Sequence, residues 1–364
     1  MKKLFQFAFR WALRLSIYVL LAGVALLAWS YFAKPKVVYL DFLPSTPDSL
    51  AGYRAEIYQT PAIQTNDAVG VALLPNGNLL ALHRADKGYG NREPIQKPVV
   101  IEFDRETKSV VKEWGAGMFK SPHGLAVSPK GEVWITDTET NLIYRFTRDG
   151  ALLQTIGEPH TQTYETLFRL RTSIPIIPAP HRPYLFARPT DVAFTKNGGI
   201  IVSDGYRNYR IAAFDSSGKF LWEESEFGNR ENAFHLPHGI TTDSSGRIYV
   251  ADRANSRIKV YSPEGELISI WQKPEIGRPF GLYMVGEKLY VADGGNVLDD
   301  PTKPLQSQVV ILDLNGNVIE RFGEYGKEQG NLAVPHDIVA DEEGNIYVAD
   351  LKNNRFVTFK KALP

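Results

Sequence analysis

From residue 68 onward, apolar and polar positions keep returning to one pattern. A Pro or an apolar pair leads to Gly or Asp, then to an alternating apolar run, a Gly-containing turn, a second run and usually Asp. The copies read AVGVALLPNGNLLALHR (68–84), SPHGLAVSPKGEVWITD (121–137), RPTDVAFTKNGGIIVSD (188–204), LPHGITTDSSGRIYVAD (236–252), RPFGLYMVGEKLYVAD (278–293) and VPHDIVADEEGNIYVAD (334–350). Most are followed by a third run, such as LIYRFT (142–147) or RIKVYS (257–262), and often by a fourth, such as LISIWQ (267–272). Short runs rich in Val, Ile, Tyr and Phe predict strands, and the Asn-Gly, Lys-Gly, Ser-Gly and Glu-Gly turns predict hairpins. Four antiparallel strands repeated six times predict an all-β, six-bladed propeller over residues 67–364. The last copy ends after its third run. Within the linker 36–66, the segment YRAEIYQT (53–60) is expected to supply the missing outer strand and close the ring.

The opposite pattern precedes the repeats. Residues 15–33, LSIYVLLAGVALLAWSYFA, carry no charge. As a helix they span roughly 28 Å, enough to cross a hydrocarbon core. Lys2, Lys3, Arg10 and Arg14 precede this run and Lys34 and Lys36 follow it, with Tyr18, Trp29 and Tyr31 toward its ends. That bias predicts an anchor, residues 1–35, with its N-terminus in the cytoplasm and the propeller on the periplasmic or extracellular side. A cleaved signal peptide is the competing reading, with Ala28-Trp29-Ser30 as a poor cleavage site.

Composition removes several classes of function. Lys plus Arg and Asp plus Glu both number 41 in the 364 residues, so no basic excess points to nucleic acid. Cysteine is absent. That excludes disulfides, thiolate metal sites and cysteine nucleophiles, and leaves His, carboxylate and carbonyl as metal ligands. Asp137, Asp204, Asp252, Asp293 and Asp350 recur at one repeat position, usually with Asn three or four residues on. A repeated Asp at a strand end ties down its own turn, so these are expected to be structural. The Pro-rich segment 158–187 breaks the pattern and is expected to be a long loop serving as a lid or contact surface.

Histidine placement is more selective. The second residue of the Pro-x-Gly/Asp start is Val69, His123, Thr190, His238, Phe280 and His336 in the successive units. First strands line a propeller's channel, and alternate blades are related by about 120°, so three imidazoles should converge on the axis. That is the donor set of a three-histidine zinc site with an open fourth position. His83, His160, His181 and His235 are out of register and read as ordinary. Arg84, Tyr206 and Arg253 follow second strands and should share the histidine face. Arginines suit a substrate carboxylate, and a tyrosine beside a divalent cation is expected to have a depressed pKa and to act as acid or base.

The stretches GVALLPNGNLLALHRAD, PHGLAVSPKGEVWITD, RPTDVAF with VSDGYRNYRI, LPHGI with VADRANSRI, and VPHDIVADEEGNIYVAD resemble the peptidyl-α-hydroxyglycine α-amidating lyase family, whose propeller is of the NHL-repeat type. The resemblance runs from about Asp67 to Lys360. It implies a catalytic zinc at His123, His238 and His336, and a structural calcium at the Asp337 side chain and the carbonyls of Val71 and Leu125. It also implies catalytic roles for Tyr206 and Arg84, with Arg253 a further active-site arginine. The implied reaction cleaves an N-acyl α-hydroxyglycine to an amide and glyoxylate, with Tyr206 as acid and base while zinc lowers the pKa of the reacting hydroxyl. The substrate would be a peptide or small molecule with a terminal carboxylate. Two other readings stand beside this one. A calcium-dependent lactonase would need Glu, Asn and Asp at the axis, and a non-enzymatic NHL scaffold would need no convergent histidines.

Overall fold

The computed structural model describes residues 2–40, 50–58, 66–175, 177–180 and 182–362. Gln59 and Thr60 of the expected ring-closing segment, and His181, lie outside them. Among the described residues the repeats form six four-stranded sheets. Their inner strands are Gly70–Leu73, Pro122–Val127, Asp191–Phe194, Pro237–Thr242, Pro279–Val285 and Pro335–Ala340. Blade six is completed from both ends of the propeller. Tyr53–Tyr58 pairs antiparallel with Arg355–Lys361, from Tyr53 opposite Lys361 to Tyr58 opposite Phe356. The fold is therefore the all-β six-bladed propeller that the repeats predict.

Middle strands are buried on both faces because each blade packs against two neighbours. Leu80, Leu82 and Val100 of blade one meet Val133, Ile135 and Phe146 of blade two in one apolar cluster. Val71, Ile101 and Phe103 meet Tyr347 and Phe356 of blade six in another. The core is thus a ring of interfaces between blades.

The recurrent aspartates fasten these interfaces. Asp252 Oδ1 accepts the His235 backbone N–H at 2.7 Å, and its Oδ2 accepts Asn255 Nδ2 at 2.8 Å and Arg257 Nε at 2.7 Å. Arg257 then donates to the carbonyls of Arg230 and Ala233. Asp204 and Asp350 repeat the device with Asn208 and Arg210, and with Asn353 and Arg355. Each carboxylate binds a strand end to the segment arriving from the preceding blade. Asp252→Ala strands the buried Arg257 without its charge partner, and removing one member of such a pair costs about 3 kcal/mol or more. A fall of several degrees in Tm is expected, and an unchanged Tm would contradict this role.

Among the described residues two α-helices lie outside the sheets. α1 is Lys2–Phe32, and its stretch Phe9–Phe32 (24 residues, mean hydropathy 1.9) is long and apolar enough to cross a membrane. α2 is Gln162–Ser173. It corrects the expectation that 158–187 is a long loop throughout. Thr161 caps it by accepting the Tyr164 N–H, and Phe168 is buried against Leu185 and Ala187. The Tyr164, Phe168, Arg171 spacing is a helical stripe hidden in front of the prolines.

Candidate active site

Each inner strand of blades two, four and six begins Pro-His, and the three imidazoles meet on the axis. Ring centroids are 4.8 Å apart for His123–His238 and His123–His336, and 4.7 Å for His238–His336. One potential ligand atom from each lies within 4.8 Å of the others. Each Nδ1 faces a carbonyl of the next blade: Thr190 at 2.9 Å, Phe280 at 3.1 Å and Val69 at 2.7 Å. A carbonyl only accepts, so Nδ1 carries the proton and each Nε2 is left as the unprotonated nitrogen. The three carbonyls belong to the register residues of the odd-numbered blades. Histidine and non-histidine positions therefore alternate because ligand and support alternate.

Glycine makes that support possible. A Cβ on Gly124 would stand 2.3 Å from Thr190 O, and one on Gly239 would stand 2.4 Å from Phe280 O. These are the carbonyls that fix His123 and His238. Burial holds all three imidazoles neutral: His336 is pushed down to about 3, and His123 and His238 fall well below the ordinary value. His238 Nε2 is buried with no hydrogen-bond partner among the described residues. An orphaned lone pair in a neutral three-imidazole cluster suits a late divalent cation.

Tyr206, Arg84 and Arg253 surround this point. The Tyr206 hydroxyl is 3.1 Å from His123 Nε2, to which it donates. Its turn lies tight on blade four, where a Cβ on Gly205 would fall 1.7 Å from Pro237 O. Burial pushes the phenol above its ordinary value, with Tyr89 adding to the rise and Arg253 and Arg84 opposing it. The chain alone, with no cation at the axis, therefore keeps Tyr206 protonated. Arg84 donates Nε to Pro122 O at 3.1 Å and NH1 to Asp67 at 3.0 Å. Arg253 grips both oxygens of Asp299, at 3.0 and 3.1 Å, and lies over the Phe280 ring at 4.3 Å, with its Nε unpartnered among the described residues.

Beyond the histidines the channel turns acidic. Asp337 Oδ2 accepts the Val71 N–H at 2.9 Å, and Asp191 Oδ2 accepts the Ile240 N–H at 3.0 Å. In a strand, the N–H and C=O of one residue point the same way, so the Val71 carbonyl also faces the channel. Leu125 lines the same cavity, of about 340 Å³, with both carboxylates. Burial pushes Asp337 up to about 7, and burial together with the nearby Asp337 charge raises Asp191. Two buried carboxylates beside inward carbonyls suit a hard, oxygen-seeking cation.

NHL repeat models match residues 119–146, 186–214, 234–261 and 332–359. Peptidyl-glycine alpha-amidating monooxygenase B of Xenopus laevis is 31% identical over 314 residues, covering 80% of this chain and 34% of that protein. A probable peptidyl-alpha-hydroxyglycine alpha-amidating lyase of Caenorhabditis elegans is 26% identical over 323 residues, covering 82% of this chain and 84% of that protein. The chain is a homologue of the peptidyl-α-hydroxyglycine α-amidating lyases and carries NHL repeats. It spans about a third of the Xenopus relative. Solved structures share the fold alone. Virginiamycin B lyase of Staphylococcus aureus gives a TM-score of 0.57 at 14% identity, covering 85% of this chain and 99% of that one. A gluconolactonase of Xanthomonas campestris gives 0.58 at 13% identity, covering 90% of this chain and 96% of that one.

The structure brings His123, His238, His336, Tyr206, Arg84 and Arg253 to one end of the channel, and Asp337, Val71 and Leu125 to the next layer. In this lyase homologue, sequence reasoning missed Asp191, Asp67, Asp299 and Tyr89. Asp191 had a signal. The residue after the histidine register reads Gly70, Gly124, Asp191, Gly239, Gly281, Asp337, with carboxylates on opposite blades. Asp299 had none, because it comes from the irregular connection after Asp293.

Proposed function

We propose that this chain is a carbon–nitrogen lyase that splits an N-acyl α-hydroxyglycine into a primary amide and glyoxylate. The observation that carries the reading is the three-imidazole cluster, tautomers fixed and Tyr206 bonded to it, in a chain whose relatives bear that lyase name. His123, His238 and His336 would hold a zinc ion, which when bound supplies Lewis acidity toward the substrate oxygen. Asp337, with the Val71 and Leu125 carbonyls and with Asp191 opposite, would hold a structural calcium. α1 would anchor the chain in a membrane, with its N-terminus in the cytoplasm and the propeller outside.

The reaction needs one proton moved and one bond broken. The hydroxyl loses its proton as its oxygen becomes the glyoxylate carbonyl, the carbon–nitrogen bond breaks, and the nitrogen gains a proton. Tyr206 is the group to relay it, because its hydroxyl reaches the histidine cluster. The arginines divide the remaining work. Arg84 is committed to Asp67 and Pro122, so it positions the wall, while Arg253 keeps a free Nε to take the substrate carboxylate.

Glyoxylate release by the full chain, with and without chelator, tests the proposal. Release that needs metal is expected, and none from a zinc-loaded protein would overturn it. Arg253→Lys keeps the charge but loses the planar fork. It should raise KM about ten-fold with a smaller change in kcat. An unchanged KM would move carboxylate binding elsewhere.

A further inference from the structure

Lys34–Tyr39, the segment leaving α1, is fastened to the catalytic face of the propeller. Val38 donates its N–H to Ala254 O at 2.7 Å, and Val38 O accepts Ser256 Oγ and Arg278, each at 2.8 Å. Ala254 adjoins Arg253, the residue beside the histidines. Tyr39 lies under Arg278 at 5.1 Å and Lys303 at 5.4 Å.

A cavity of about 810 Å³ opens here, walled by this segment and α2 and reaching Tyr206. Lys34 already lines it, two residues beyond the end of α1, which places that wall within roughly 7 Å of the apolar helix. The wall is cationic and has no Asp or Glu among its described lining residues. Arg188 and Arg207 are paired outward to Glu139 and Glu165. Lys34 and Lys36 form no salt bridge among the described residues, and Lys303 has Asp300 near it. Exposed leucines follow lining residues in the chain: Leu170 next to Arg169, and Leu305 two residues from Lys303. Lysines and exposed leucines together suit a lipid headgroup boundary.

We infer that the docked segment holds the catalytic mouth against the membrane surface, and that the substrate is an amphiphile with its acyl chain in the bilayer and its anionic α-hydroxyglycine head in this cavity. The inference rests on the lyase reading. A soluble peptide would gain nothing from a mouth held at the interface. A membrane-partitioned chain is concentrated there, and the lysines draw its carboxylate in toward Arg253.

The test uses the full chain, zinc-loaded, in phosphatidylcholine vesicles. Glyoxylate release from N-palmitoyl-α-hydroxyglycine is compared with that from N-acetyl-α-hydroxyglycine and from a soluble acylated dipeptide ending in α-hydroxyglycine. A second protein carries about a dozen Gly and Ser residues inserted between Ala33 and Lys34, which leaves the docking intact and lets the mouth retreat by roughly 20 Å. The native chain should prefer the palmitoyl substrate about ten-fold or more in kcat/KM. The insertion should remove most of that preference and leave N-acetyl turnover unchanged. Equal use of both acyl chains, a preference for the soluble dipeptide, or a preference that survives the insertion overturns the inference and leaves the lyase reading intact. No glyoxylate from any of the three overturns the lyase reading, and the inference with it.

Discussion

His238→Ala should yield a folded propeller with no zinc at the axis and no glyoxylate release above background. His238 is the informative member of the cluster because its Nε2 has no hydrogen-bond partner among the described residues. His123 shares its Nε2 with Tyr206, so replacing it disturbs two roles at once. With the imidazole gone, two histidines remain, one ligand short of the set that structural and catalytic zinc sites use. The substitution also leaves Phe280 O without its donor, and one buried unsatisfied group costs about 1–3 kcal/mol, which should not unfold the ring. Metal content by mass spectrometry, Tm and glyoxylate release are measured together. Loss of metal and activity with a near-native Tm is the expected set. Full activity would sink the three-histidine site. Retained metal with lost turnover would make His238 a substrate contact.

The fold was legible because each blade repeats a local pattern: period-two strands, glycine turns and a closing Asp. Six imperfect copies reinforce one another, so an error in one strand does not change the architecture. The histidines were legible for the same reason, since a register turns sequence position into angle around an axis. What the register leaves out is the irregular chain. α2 went unseen because prolines after it dominated the reading, although Thr161 and the Tyr164, Phe168, Arg171 stripe were present. Its consequence reaches the site: Arg171 NH1 donates to Arg207 O at 2.5 Å and Asn208 O at 3.3 Å, bracing the turn that carries Tyr206. Asp67 and Asp299, which set the two arginines, come from connections with no repeat to index them. Tyr206 was placed correctly on the histidine face, but its protonation depends on burial, which sequence does not measure. The docking of residues 34–39 depends on distant partners such as Arg278, so it too needed coordinates.

Tyr206→Phe should lower kcat about 100-fold or more, with KM and bound zinc nearly unchanged. The substitution keeps the ring, and with it the contacts to Tyr89 at 5.5 Å and to His123 at 5.4 Å. Only the hydroxyl is removed, so what is lost reports proton transfer and not packing. The size of the loss follows from the chemistry. The nitrogen leaves as an amide only if a proton arrives as the bond breaks, since an amide anion is a poor leaving group in water. No other described hydroxyl or carboxylate is hydrogen-bonded to the three imidazoles, and the nearby guanidiniums are too weakly acidic to serve. In the relay, a protonated Tyr206 would start as the donor and be restored by the proton released from the substrate hydroxyl, so no net proton is needed from solvent. Single-turnover kinetics separates this step from product release. An unchanged chemical rate in the phenylalanine variant would remove Tyr206 from the reaction and leave the relay to water in the cavity. A loss confined to KM would make the tyrosine a binding residue.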